Sequence, residues 1–158
     1  MLRGMDLTSE IETFVADQRL GFLATVCSDG TPNLSPKGLT FVLNEKQIVI
    51  GEIRSPNTVS NLLRQPVAEL NVVDHFSRKG FRFKGECVVL SEGRAHDKLV
   101  KFLRSKGAQS EVNSVIVMDV RSVRPLVSPA YDQGFSEQDL RPQWKKHYVQ
   151  MDADSLAK

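Results

Sequence analysis

Three short stretches of this 158-residue chain place donors and cations where regular structure has no need of them. The first is Pro32-Asn33-Leu34-Ser35-Pro36-Lys37-Gly38, an alternating strand interrupted by Pro36 and Gly38 with a lysine between them. Proline removes a ladder donor, and glycine lets another body come close to the backbone. Ser35 and Lys37 share one strand face, so a hydroxyl and a cation point the same way. The stretch by itself reads either as a frayed edge or as the wall of a ligand site.

The second stretch is Ser55-Pro56-Asn57-Thr58, the start of a helix. Ser55 suits the cap and Pro56 the first helical position. Asn57 and Thr58 stand in the first turn, where carboxylates are usual, so the positive helix end is left free for an anion. A plainly capped surface helix is the alternative. The third stretch spans residues 80–90, in which period two puts Phe81, Phe83 and Cys87 on one face and Arg82, Lys84 and Glu86 on the other. Two buried, unpaired cations would be costly, so Arg82 and Lys84 must reach water, carboxylates or a ligand anion. Ser35, His75 and His96 are too scattered for a catalytic triad, and both histidines read as surface residues. No cysteine or histidine pair has metal-ligand spacing, so no metal site is expected.

The elements that must position these residues are short. Leu7, Ile11, Phe14 and Val15 recur at helical spacing, with Ser9 and Glu12 spaced as a capping box. Residues 21–26 read as a strand that turns at Asp29-Gly30 into the broken stretch, and residues 39–43 and 47–52 follow across short turns. This predicts an antiparallel meander, its last strand β-branched enough to be buried on both faces. The helix from Ser55 carries Val59, Leu62 and Leu63 and closes before Pro66; a strand over residues 67–73 comes next. A helix over 96–103 and a last strand over 115–126 complete the periodic part. The tail, residues 128–158, holds Tyr131, Trp144, His147 and Tyr148, with a helix predicted over 136–148 capped by Ser136 and Asp139.

Bulk properties narrow the classes. A 41% hydrophobic content supports one domain with a sizeable core. The net charge of +2, with no basic stripe, gives no case for a nucleic-acid partner. No apolar run approaches the roughly 18–20 residues of a membrane span. The first six residues show no long apolar segment, which argues against a signal peptide. Cys27 and Cys87 lie in strand-like apolar runs and are expected as free thiols, so the expected location is cytoplasmic.

The strand pattern, the Ser-Pro-Lys-Gly step, the Ser55–Thr58 helix start, Asn61-Leu62 within that helix and the Arg-Phe-Lys-Gly strand occur in one order at compact spacing. Over roughly residues 7 to 126 the chain resembles the pyridoxamine 5′-phosphate oxidase-like family of flavin-binding split barrels. Ser128-Pro129-Ala130-Tyr131 and Trp144 resemble the C-terminal extension of one subgroup. The resemblance implies a mainly β fold: a Greek-key split β-barrel of about six antiparallel strands with two or three short flanking helices. It implies one FMN-binding domain over 1–158, with 128–158 as an extension, and a homodimer holding FMN at the subunit interface.

On that resemblance, Ser35, Pro36, Lys37 and Gly38 run along the flavin ring and ribityl chain. The segment containing Gly51, Glu52, Arg54, Ser55, Asn57 and Thr58 meets the ribityl chain and phosphate, with Asn61 further along the same helix. Arg82 and Lys84, or Arg54, supply balancing charge, and Trp144 with Tyr131 either lids the ring or packs plainly against the barrel. The implied function is FMN-dependent hydride or electron transfer with an unidentified small molecule or electron donor. The alternative is a split barrel that binds flavin or haem without turnover, with His75 or His147 as the haem ligand. The chain departs from true pyridoxamine phosphate oxidases, which typically carry basic residues at the positions of Asn57 and Thr58. It also lacks a match to their set of residues for the vitamin's phosphate, so pyridoxal phosphate synthesis is not the expected activity.

Overall fold

Residues 6–156 are described in a computed structural model, as seven strands and four α-helices. In chain order these are α1 (Ser9–Gln18), β1 (Gly21–Val26), β2 (Pro32–Lys37), β3 (Thr40–Asn44) and β4 (Gln47–Glu52). Then come α2 (Pro56–Arg64), β5 (Val67–Asp74), β6 (Lys79–Leu90), α3 (Gly93–Ser105), β7 (Ser114–Val127) and α4 (Glu137–Leu156). The signal-peptide reading falls mostly on residues 1–5, outside the described residues. No helix among the described residues is long and apolar enough to cross a membrane.

All seven strands join one antiparallel sheet in the order β2-β1-β5-β6-β7-β4-β3. The predicted four-strand meander is therefore two hairpins, β1–β2 and β3–β4, at opposite ends of the sheet. The reason is the break at Pro36 and Gly38. Strand β2 ends at Lys37 and β3 begins at Thr40, so two linking residues join the two edges of the sheet. A link that short spans only about 10 Å, so the sheet must curl until its edges meet. No ladder pairs β2 with β3, and the barrel stays split there. This is the split β-barrel the sequence predicts, with seven strands for about six and four α-helices for two or three.

The barrel interior is filled by Leu23, Ile48, Ile50, Leu70, Val72, Phe83, Ile116 and Met118, all fully buried. Each such side chain contributes about 1.5–3 kcal/mol relative to exposure. Val49, on the opposite face of β4, enters a second cluster with Phe41, Leu103, Val115 and Val117. Strand β4 is thus buried on both faces, as its β-branched run predicts. Helix α3 supplies Leu103 to that outer cluster, while α1 sends Ile11 and Val15 into the barrel core.

Two helices differ from prediction, α1 in its cap and α2 in the face it buries. Thr8 caps α1, its hydroxyl accepting the Ile11 N–H at 3.3 Å, so the cap lies one residue before Ser9. Helix α2 buries Thr58, Asn61 and Leu62 and leaves Leu63 exposed. Positions 58, 61 and 62 share one helical face, and that face here is largely polar. The tail helix runs to Leu156, well beyond Tyr148, and its start is capped as predicted: the Asp139 N–H reaches Ser136 Oγ at 3.3 Å and the Ser136 N–H reaches Asp139 Oδ2 at 2.8 Å.

Candidate functional site

The broken stretch and the start of α2 meet at the barrel seam. Lys37 ends β2 with its side chain turned to the inner side of the sheet, 5% exposed. Its ammonium donates to Ser35 Oγ at 2.7 Å and to Ser55 Oγ at 2.5 Å. Ser55 in turn donates its hydroxyl to Glu52 Oε1 at 2.9 Å, and its backbone N–H to the same oxygen. Burial pushes the Lys37 ammonium below its ordinary pKa of 10.5, and the Glu52 carboxylate pulls it back upward. An ammonium has three donors, and among the described residues the third Lys37 N–H has no partner.

This network explains why Ser55 fails to cap α2 although it occupies the cap position. Its hydroxyl proton is given to Glu52 and its lone pairs face Lys37. The first-turn N–H groups of α2 consequently have no side-chain acceptor, and the helix has no acidic residue in that turn. Arg54, one residue before, is exposed and makes no ion pair among the described residues. Ser35, Pro36, Lys37, Gly38, Gly51, Arg54 and Ser55 line one groove of about 630 Å³. A Cβ built on Gly38 would meet nothing within 4 Å, so the space beside it is not filled by the chain itself.

Other predicted site residues lie elsewhere. Thr58 and Asn61 are buried on the far side of α2, in a polar cluster with β1 and β2. Asn33 Nδ2 donates to Thr58 Oγ1 at 3.3 Å and to Thr25 Oγ1 at 3.2 Å, and Asn61 Nδ2 donates to Thr25 Oγ1 at 3.0 Å. Asn57 is exposed on the first turn. Arg82 and Lys84 occupy the outer face of β6, as period two predicts, and the carboxylate they reach is Glu69, at 3.0 and 3.4 Å. They do not line the seam groove of their own chain. Trp144 lies on α4 beneath Arg78, whose guanidinium carbon is 3.9 Å from the ring centroid. His75 and His147 both pack near Tyr148, away from the groove.

Sequence reasoning missed Ile53, Glu111 and Asn113, which complete the groove wall. Asn113 donates its backbone N–H to the Glu52 carbonyl at 2.9 Å, and its side chain donates to the Ile53 carbonyl. No local pattern marks these residues. The signal is topological: β4 pairs with β7 and Glu52 faces Ser114, so the residues before β7 must flank those after β4.

The groove suits an anion carried on a larger polar or flat body. It offers a guanidinium without an ion pair among the described residues and a buried ammonium with a spare donor, and it lies beside the uncapped start of α2. Fold and groove together define a split-barrel protein with a candidate ligand groove at its seam.

The chain belongs to the pyridoxamine 5′-phosphate oxidase family, whose family model matches residues 7–126. HupZ from Group A Streptococcus is similar at 26% identity, with a TM-score of 0.68, covering 77% of this chain and 94% of that one. An FMN-binding protein from Syntrophomonas wolfei shares the fold at 13% identity and a TM-score of 0.63, covering 74% and 84%. An F420 reductase shares it at 17% identity and a TM-score of 0.57, covering 72% and 94%. No curated protein matches the chain.

Proposed function

We propose that the protein is a homodimeric FMN-dependent oxidoreductase acting on a small molecule other than pyridoxamine phosphate. The observation that carries this reading is the convergence of Lys37, Ser35, Ser55 and Arg54 on one groove beside an uncapped helix start. Flavin, when bound, supplies the hydride chemistry, so the chain needs no nucleophile or triad of its own. Arg54 and the first-turn N–H groups of Asn57 and Thr58 would hold the phosphate. Ser35, Lys37, Gly38 and Gly51 would take the ring and ribityl chain. Lys37 would set a positive charge beside them, held in place by Ser55 and Glu52.

The outer face of β2, β1, β5 and β6 supports the homodimer. Leu34, Val67 and Val88 are exposed there, around the charged pairs of Glu69 with Arg82 and Lys84. A second copy seated on this face would cover the apolar side chains and give Arg82 and Lys84 a role in the partner's groove. The free thiols of Cys27 and Cys87 fit a reducing, cytoplasmic setting.

The test is spectroscopic. Protein reconstituted with FMN is expected to elute yellow as a two-chain species by light scattering, and its flavin absorbance should bleach under a nicotinamide donor. Flavin that binds but resists every donor would favour a storage role. No flavin spectrum after reconstitution would rule the proposal out.

A further inference from the structure

A second groove, of about 720 Å³, lies on the other side of the 53–55 segment and shares Arg54, Ser55, Ile53 and Asn113 with the first. Its floor is apolar. Ile53 and Leu63 are 42% and 70% exposed, with Val59 and Pro56 beside them. Of the three apolar positions the sequence marks, Leu62 is buried, while α2 turns Thr58 and Asn61 inward and presents Val59 and Leu63 to this groove. Two arginines stand on its wall. Arg54 has no ion pair among the described residues, and Arg64 spends one donor on the Val26 carbonyl and keeps the rest of its guanidinium fork. The acid on this wall, Glu52, is already engaged by Ser55.

An apolar floor beside a guanidinium fork with donors to spare selects for charge and shape together. We infer that this groove binds a small organic anion with an apolar body, its carboxylate on Arg64 and its body on Ile53, Val59 and Leu63. The volume falls in the range of sites that enclose small molecules, roughly 300–1,000 Å³. A neutral apolar compound would leave the spare Arg64 donors unused, and a small hydrophilic anion would leave the floor wet. Arg54 belongs to both grooves, so this ligand would sit next to the flavin site. Its role as the reaction partner rests on the flavin reading; its binding does not.

The experiment is calorimetry on FMN-reconstituted protein with decanoate, decanol and acetate as probes, repeated on Leu63→Asp and Arg64→Gln. Both side chains are exposed, and FMN affinity and circular dichroism check that each variant is folded. Decanoate is expected to bind at least about tenfold more tightly than decanol or acetate, a fair return for one charge-assisted pair. Arg64→Gln should remove most of that preference for the acid, and Leu63→Asp should weaken decanoate by about tenfold or more. Equal binding of decanoate and decanol, or binding unchanged in both variants, overturns the inference. So does a Leu63→Asp variant whose only change is a lower oligomeric state, because a second copy would then own the groove. FMN that fails to bind the unaltered protein defeats the flavin reading instead; decanoate must then still bind that flavin-free protein with the same preference, and its failure to do so overturns the inference.

Discussion

Lys37 Nζ lies 2.5 Å from Ser55 Oγ, and this hydrogen bond joins the broken strand β2 to the start of α2 across the barrel seam. Ser55 passes the connection on to Glu52, 4% exposed, at the end of β4. One carboxylate therefore accepts two donors from Ser55 and offsets the charge of a buried lysine. The three residues fix the seam groove from the end of β2, the end of β4 and the cap of α2.

Removing that carboxylate tests the link. Glu52→Ala strands the Ser55 donors and leaves Lys37 buried without its counter-charge, and is expected to lower stability by about 2–4 kcal/mol. Urea unfolding followed by circular dichroism reads it. A loss below about 0.5 kcal/mol would place Glu52 among ordinary surface positions.

Close backbone approach makes a second point. The β6–β7 register shifts between Lys84 and Gly85, and a Cβ on Gly85 would fall 2.2 Å from the Asp119 carbonyl oxygen. Backbone, unlike a side-chain tip, cannot swing aside. Gly85→Ala is expected to cost about 3 kcal/mol, at the upper end of overpacking effects. Thermal unfolding against the unaltered chain measures it; an unchanged midpoint would mean that the bulge absorbs the methyl group.

Acid should loosen the tail. Burial raises the Asp74 carboxyl, but the Phe76 N–H, Ser77 and Arg141 outweigh it and hold the group below its ordinary 3.8. Hydrogen bonds from Arg141 and Lys79 hold Glu137 below 4.5. Both carboxylates bind protons less readily folded than unfolded, so their stabilisation is present above those ordinary values and is lost as pH falls through the lowered ones. Trp144, the one tryptophan, stacks under Arg78 on the turn that Arg141 clasps, and reports the event. Its emission should shift on acidification below about pH 4, and Arg141→Gln should move the shift to higher pH with a loss of about 1 kcal/mol. Emission that stays flat until global unfolding would show that the clasp contributes nothing.

Much of this architecture was legible in the sequence, for reasons that are local. Alternation placed Phe83 and Cys87 inside and Arg82 and Lys84 outside, and the β-branched run of 47–52 announced a strand covered twice. Pro36 and Gly38 marked the break but not its consequence, because whether a chain crosses to the far edge of a sheet depends on pairing partners, not on the link. The side of α2 that turns inward was misjudged for a related reason. Leu63 outranks Thr58 in hydrophobicity, yet Thr25 and Asn33 on the neighbouring strands offer hydrogen bonds that satisfy a polar face. Asn113 and Glu111 left no trace in local pattern, since only the pairing of β4 with β7 brings them to the groove.

In the proposed function the seam groove holds FMN by its phosphate as well as its ring. The measurement is a titration of flavin fluorescence with the protein, run in parallel for FMN and for riboflavin, which lacks the phosphate. Saturable binding at one flavin per chain is expected, with FMN favoured over riboflavin by about tenfold or more, as charge-assisted hydrogen bonds to a phosphate require. Equal affinities for the two flavins, or no binding of either, would contradict it.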